Sequence, residues 1–404
     1  MHLKKLSNVA RRRVFYIPGY DPFHPRRYRE LYRKEGKAQA EISGYKIELQ
    51  PKTTKGPYGW QVAGRIGGQS VAVDVDVLVW SDLVKASMDP TIPGTYLQLV
   101  RTAWAYVGSG ALFRLMRLRQ GPVIAALYPI AMLLGQLAVA LLLAWGLAVL
   151  AGFLVPGVVA AVLGLAVVPL VLRWFRANDN RFYAYYLMHD YAYAAQAGGG
   201  YPPELEARMR EFGRAIVAAL QQEYDEVLVV GHSSGAHIAV TVLADLFRAR
   251  QVPVPGPALG LLSLGQVVPM VAFLPGASRL RGDLHDLSAC EALTWVDVTA
   301  PGDGCAFALC DPVAVTGVAP ANKRWPLVIS AAFTQSLSPE RWRELRWRFF
   351  RLHFQYLCAF DRPRDYDYFQ ITAGPLTLAE RYCDRAPSKS RIETPVNGHR
   401  SMAA

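Results

Sequence analysis

The residues best able to do chemistry stand at Gly231-His232-Ser233-Ser234-Gly235. This G-x-S-x-G lies between the apolar run Leu228-Val229-Val230, which reads as a strand, and Ala236 to Val240, which opens a helix of small and apolar residues. A serine on so sharp a strand-to-helix turn needs small neighbours, because the helix must approach the strand closely. Such a turn aims the Ser233 hydroxyl outward as a nucleophile. It also sets the Ser234 backbone N–H at a helix N-terminus, where it can stabilise an oxyanion. A glycine-rich turn can instead cradle a dinucleotide, but that use asks for G-x-G-x-x-G and an acidic residue about 20 positions on, and neither is present. The chemistry expected of Ser233 is acyl transfer.

At this motif, with V-L-V-V before it and an apolar helix after it, the chain resembles the α/β-hydrolase superfamily over residues 13 to 20 and roughly 200 to 375. The resemblance implies a chain order of Ser, then Asp or Glu, then His, with a second oxyanion donor in the loop after an early strand. That loop is similar to Phe15-Tyr16-Ile17-Pro18-Gly19-Tyr20, so the Tyr20 N–H is the candidate donor beside Ser234. For the acid, the strand Leu293 to Val298 leads into the turn Ala300-Pro301-Gly302-Asp303-Gly304. A carboxylate that orients a histidine belongs at the carboxyl end of the sheet, so Asp303 is preferred to Asp297 and Asp311. Only His353 and His399 lie beyond Asp303, and His353 is the expected base. It stands in Pro339 to Leu357, which could be a single helix, whereas the family's histidine usually sits in a loop. His232 and His237 precede the acid and read as wall and helix-packing residues. No H-E-x-x-H or other metal-ligand spacing occurs, so neither a metal nor a cofactor is expected.

The elements that must position these residues are unusual in one respect. The chain is 52% hydrophobic and 19% charged, and from Gly121 to Leu172 it contains no Asp, Glu, Lys or Arg. At about 1.5 Å rise per residue that run is long enough for two spans of roughly 20 residues. Ala151 to Gly157 carries the turn residues that divide it into spans near Val123 to Leu150 and Gly157 to Trp174. Arg114, Arg117 and Arg119 precede the run, Arg173, Arg176 and Arg181 follow it, and the turn has no positive charge. The expectation is a transmembrane helical hairpin with both ends in the cytoplasm of an inner-membrane protein. Upstream, Leu97, Val100, Trp104, Val107, Ala111, Leu112, Leu115 and Met116 recur at helical spacing beside arginines, as in an interfacial helix or equally a helix packed on the core. Pro339 to Leu357 interleaves Arg341, Arg343, Arg346, Arg348 and Arg351 with aromatic residues, which suits a bilayer surface or a solvated basic face equally.

Net charge +12 draws the soluble surface to anionic headgroups; no nucleic-acid-binding motif accompanies it. Five cysteines without a C-x-x-C pair read as reduced cytosolic thiols. The amino terminus lacks the apolar region of a signal peptide. Arg13 to Ile17, Tyr45 to Leu49, Ser70 to Trp80, Glu226 to Val230, Ala258 to Leu264, Leu293 to Val298 and Pro326 to Ala331 read as strands. Arg181 to Gln196, Pro203 to Glu223 and Ala236 to Arg248 read as helices. Buried strands alternating with helices argue an α/β fold with a mostly parallel sheet and helices on both faces, interrupted by the hairpin. The expected divisions are 1–120 (first strands and interfacial helix), 121–174 (hairpin), 175–384 (catalytic portion) and 385–404 (disordered tail), with Gly198-Gly199-Gly200 as a hinge or linker. The reading is a membrane-anchored serine hydrolase of an ester or related acyl bond, with the bilayer as partner and a lipid or acyl ester as substrate. A non-catalytic membrane scaffold, and an acyltransferase or thioesterase on the same fold, are the alternatives. The sequence does not set the oligomeric state.

Overall fold

The computed structural model describes residues 9–54, 56–88 and 90–403. Its strands are β1 (Arg11–Ile17), β2 (Lys46–Pro51), β3 (Gly59–Ile66), β4 (Gln69–Val77), β5 (Glu226–His232), β6 (Ala258–Leu264), β7 (Thr294–Thr299) and β8 (Leu327–Ser330). They form one eight-stranded sheet in the order β2-β3-β4-β1-β5-β6-β7-β8. From β4 to β8 every neighbouring pair is parallel, while β3 runs antiparallel to both β2 and β4. Strands buried on both faces are apolar throughout, and β5 is buried at every residue. Its side chains alternate between two apolar layers, Val227 and Val229 in one, Leu228 and Val230 in the other.

The helices that concern the site are α1 (Arg26–Ser43), α2 (Ser81–Ser87), α3 (Ile92–Gly108), α4 (Ala111–Leu118), α5 (Gln120–Ala151), α6 (Gly157–Ala177), α7 (Asp179–Phe182), α8 (Ala184–Ala195), α9 (Pro203–Leu220) and α10 (Gly235–Arg248). Tyr28 and Tyr32 of α1 pack in the layer of Leu228 and Val230, while α9 and α10 supply Phe212, Ile216, Ile238 and Val242 to the opposite layer. Helices therefore cover both faces, and the chain is α/β with a mostly parallel sheet.

Strands before and after the charge-free run share this sheet, because β1 sits between β4 and β5. Ile17 lies opposite Gly231, so the loop after β1 begins beside the G-x-S-x-G turn. At the other end, Arg12 Nε meets Glu226 Oε2 at 2.5 Å, and both side chains are buried. The rest of the guanidinium donates to Gly374 O and Leu376 O, and Glu226 Oε1 accepts from Leu378 N. A buried ion pair with its remaining donors and acceptors filled fixes the β1–β5 register, and losing one partner would leave an uncompensated charge.

α5 and α6, of 32 and 21 residues, are long and apolar enough to cross a membrane, and only about a fifth of each apolar stretch is buried. They include both expected spans. They pack through small residues: a Cβ on Gly164 would stand 2.4 Å from Ala144 O and 2.9 Å from Ala148 Cβ. At its start, α5 touches the soluble part, with Arg119 Nε donating to Ala308 O at 2.8 Å. The upstream apolar stretch forms α3 and α4; Leu97, Val100, Trp104, Val107 and Phe113 stand exposed on them, whereas Ala111 and Leu115 of the same stretch are buried in the core.

Several expectations need correction. β3 was not expected; its glycines dilute the apolar alternation, and Gly64 is required because a Cβ there would stand 2.3 Å from Ala373 O. The helix expected over Arg181 to Gln196 is broken at Tyr183, whose φ is +55°. Gly198-Gly199-Gly200 is a packed turn and no hinge: Gly276 N donates to Gly198 O, and a Cβ on Gly199 would stand 2.8 Å from Leu274 Cβ. The stretch beyond Asp384 is docked, not a disordered tail. Ile392 N donates to Leu309 O at 2.7 Å, Asp311 N to Ile392 O at 2.9 Å, and the buried Asn397 side chain donates to Ala272 O. Its polar composition hid a strand-like bridge that satisfies the backbone of the loop after β7.

Candidate active site

Sharp geometry at the end of β5 follows from its two glycines. A Cβ on Gly235 would stand 2.1 Å from Ile17 O, and one on Gly231 would stand 2.7 Å from Ala236 Cα. Ser233 between them has φ +56°, a left-handed conformation that costs a non-glycine residue roughly 1–3 kcal/mol and persists only where its surroundings over-determine it. Here the Ser233 N–H is held by Leu264 O at 2.9 Å, at the end of β6. Ser233 is half-buried and its hydroxyl faces the loop after β1, where a Cβ on Gly19 would stand 2.9 Å from Ser233 Cβ and 3.4 Å from Oγ. Next to it, the Tyr20 and Ser234 N–H groups have no hydrogen-bond partner among the described residues. The two expected oxyanion donors thus flank the serine and are unspent.

Asp303 is buried in the loop after β7. Its Oδ2 accepts from His353 Nδ1 at 2.7 Å and from the Tyr356 hydroxyl at 3.0 Å, and its Oδ1 accepts from Cys305 N at 2.9 Å. Burial alone would raise this carboxyl, but the His353 ring and these donors outweigh it and hold it below the ordinary carboxylate range. His353 ends a short helix, Phe349–His353, so Pro339 to Leu357 is not one helix; it breaks after Pro339–Leu345 and again into the 3-10 turn Gln355–Leu357. The bond to Asp303 leaves Nε2 as the free ring nitrogen. Across the site, a Cβ on Gly265, the residue after Ser233's anchor Leu264, would stand 3.1 Å from His353 Cε1. Ser233 makes no side-chain hydrogen bond among the described residues, so the Asp–His link is formed and a Ser–His link is not.

The other candidates lie elsewhere. Asp297 is buried within β7, bonded to Ser263 Oγ at 2.6 Å, and pushed up to about 8 by burial and by Asp311, so it is largely neutral at pH 7. Asp311 caps the helix Pro312–Thr316 and pairs with Lys323 at 2.5 Å. His399 faces Ser109 O at 3.3 Å. His237 is bonded to the Tyr201 hydroxyl at 3.1 Å, and burial lowers it to about 3.

Three residues with a part in the site were not singled out for it by sequence. His232, read as a wall residue, is lowered to about 3 by burial and by His353, and its Nε2 meets His353 O at 3.0 Å. Neutral His232 donates there and fixes the backbone that carries the His353 ring. Tyr356 links the Ala300 N–H, which it accepts at 3.0 Å, to Asp303. Asp190, a lone carboxyl among the tyrosines of α8, lines a small cleft together with Tyr20 and Ser234. Its one sequence signal is its isolation in Tyr185 to Tyr193.

Asp303, Cys305 and His353 offer three ligand atoms within 4.8 Å of one another. Two atoms bound to one ion at about 2.0–2.2 Å in tetrahedral geometry stand more than about 3 Å apart. The 2.7 Å between Asp303 Oδ2 and His353 Nδ1 is instead a hydrogen-bond distance, and burial, Asp303 and Asp190 all push the Cys305 thiol up, away from the thiolate that a metal would need. This arrangement fits proton handling and not metal binding. Compared with protein-family models, curated proteins and solved structures, the chain gives no match.

Proposed function

We propose that the chain is a membrane-anchored serine hydrolase of α/β-hydrolase type, acting on an ester or related acyl bond. The observation that carries this reading is the buried Asp303–His353 pair at 2.7 Å, at the same carboxyl end of the sheet as a serine held at φ +56°. His353 Nε2 takes the Ser233 proton as Oγ attacks the acyl carbonyl, and the Tyr20 and Ser234 N–H groups hold the oxyanion. The proton passes to the departing alcohol, leaving an acyl-enzyme. Water, deprotonated by the same nitrogen, then releases the acid and restores Ser233. Asp303 keeps the ring in one tautomer and stabilises the imidazolium. The apolar α5–α6 hairpin crosses the cytoplasmic membrane with both ends on the cytoplasmic side, and exposed apolar residues on α3 and α4 lie against the lipid surface. Lipid or other membrane-dissolved acyl esters are therefore the favoured substrates.

The test is a fluorophosphonate probe, which reacts with an activated serine, applied to membranes holding wild type and Ser233→Ala. Labelling of wild type that disappears in Ser233→Ala supports the reading. An unlabelled, folded wild type favours the second reading, a non-catalytic membrane scaffold, which the missing Ser–His hydrogen bond supports. Water against alcohol acceptors then separates hydrolysis from acyl transfer.

A further inference from the structure

Resting on the hydrolase reading, we infer that the cleft beside Ser234 is a cation site, and that the ester cleaved carries a substituted ammonium group near the reacting carbonyl. The walls are aromatic. Tyr20, Trp80 and Tyr193 pack in a triangle with ring centroids 6.1, 5.6 and 5.9 Å apart, and Tyr201 stacks on His237 at 5.7 Å. All five line the same cleft. The Trp80 N–H is spent on Pro18 O at 2.9 Å, which also steadies the loop bearing the Tyr20 N–H.

Asp190 lines this space, and its carboxyl makes no hydrogen bond or ion pair among the described residues. Among the described residues no Lys or Arg lines the cleft, and His237 is held neutral. Tyr20, Tyr106, Tyr186, Tyr191, Cys305 and His353 are the titratable groups that face Asp190. Burial pushes its carboxyl up to about 7, against a weaker pull from His353. An arriving cation would restore its charge. One acid and several π faces, of which Tyr201 already meets the Arg279 guanidinium at 5.9 Å, complement an alkylammonium.

Its place is also chemical. Tyr20 and Ser234, whose N–H groups would hold the oxyanion, are part of the same wall, so a cation in the cleft sits a few bonds from the carbonyl. A small soluble amino-alcohol ester presents this chemistry, whereas a zwitterionic lipid headgroup presents the same cation farther from its acyl carbonyl, beyond the glycerol and phosphate.

The full chain in nanodiscs is given choline butyrate and its uncharged carbon isostere, 3,3-dimethylbutyl butyrate. Wild type should favour the charged ester at least tenfold in kcat/KM, and Asp190→Asn should bring the ratio close to one. Tyr193→Leu, which keeps bulk but removes a ring, should lower the ratio severalfold. A ratio near one in wild type, or an equal slowing of both esters in Asp190→Asn, overturns the inference; the latter would mark Asp190 as merely structural. Phosphatidylcholine against phosphatidylglycerol vesicles separates the sources: a preference for the former assigns the site to lipid headgroups, and preference among soluble esters alone assigns it to small esters. Calorimetric binding of tetramethylammonium to Ser233→Ala needs no turnover. Binding that Asp190→Asn abolishes sustains the cation site even if fluorophosphonate labelling fails, and absent binding overturns it even if labelling succeeds.

Discussion

Gly19→Ala is the sharpest single perturbation of the loop that faces Ser233. The added methyl would stand 2.9 Å from Ser233 Cβ, 3.3 Å from His232 O and 3.4 Å from Ser233 Oγ. Carbon atoms pack best at about 3.5–4.0 Å, so either the loop or the elbow must yield by roughly 0.6–1 Å. The elbow is held by Leu264 O and by two glycines with no spare room, so the loop bearing the Tyr20 N–H is the part that moves. A misplacement of about 1 Å costs on the order of 10²-fold in rate, and losing one oxyanion donor costs about 10²–10³-fold. Overpacking itself costs about 1–3 kcal/mol, which lowers Tm by several degrees without unfolding the chain. The assay is the second-order rate of fluorophosphonate labelling, with kcat/KM on a chromogenic ester, in nanodiscs. We expect both to fall about 100-fold in a protein that still melts cooperatively. Labelling at the wild-type rate would refute the placement of this loop against the nucleophile, and with it the role of Tyr20.

Asp303→Asn should reduce kcat by about 10³–10⁴-fold, because the wrong tautomer of His353 is then favoured, whereas Asp297→Asn should retain activity; single-turnover ester hydrolysis reads both. Burial raises Asp297 to about 8, so its protonated form is the one that suits the fold and wild type loses stability as pH rises from about 4 towards 8. Thermal melts of Asp297→Asn should show a shallower decline over that range. Deleting the chain after Asp384 removes the hydrogen bonds of Ile392 to Leu309 and Asp311 and should lower both Tm and activity, since the same loop carries Asp303. A truncated chain with unchanged melting would contradict the docked tail. Gly164→Leu should drive α5 and α6 apart, read as lost crosslinking between cysteines introduced at facing positions of the two helices, with labelling of Ser233 retained.

The local parts of this design were legible in the chain. The elbow was readable because strand, turn and helix adjoin in sequence, and the hairpin because a charge-free run has few other uses. Asp303 and His353 were reachable only through the order that the family resemblance implies; their bond spans 50 positions. The break before His353 was not readable, because Arg346 to Arg348 carry no Gly or Pro and the interruption comes from packing. Asp190 gave no motif, since its meaning depends on rings from three distant segments. The docked tail was lost to composition, which reports average polarity and misses Ile392 and Asn397, the residues that anchor it.

The seating of β1 between β4 and β5 bears on how the protein is made. Arg12 and Glu226 are 214 residues apart, and at roughly 5–20 residues per second a ribosome takes on the order of ten to forty seconds to cover that distance. During that interval β1 has β4 on one side and an open edge on the other, a template for wrong pairing unless something shields it. The segment synthesised in the meantime is the apolar hairpin. If the hairpin spans a membrane as proposed, its insertion must finish, and return the chain to the side it left, before β5 can close the sheet. A hairpin that inserted only one of its helices would strand the two halves of the sheet on opposite faces of the bilayer, and the candidate nucleophile would never meet the loop that follows β1.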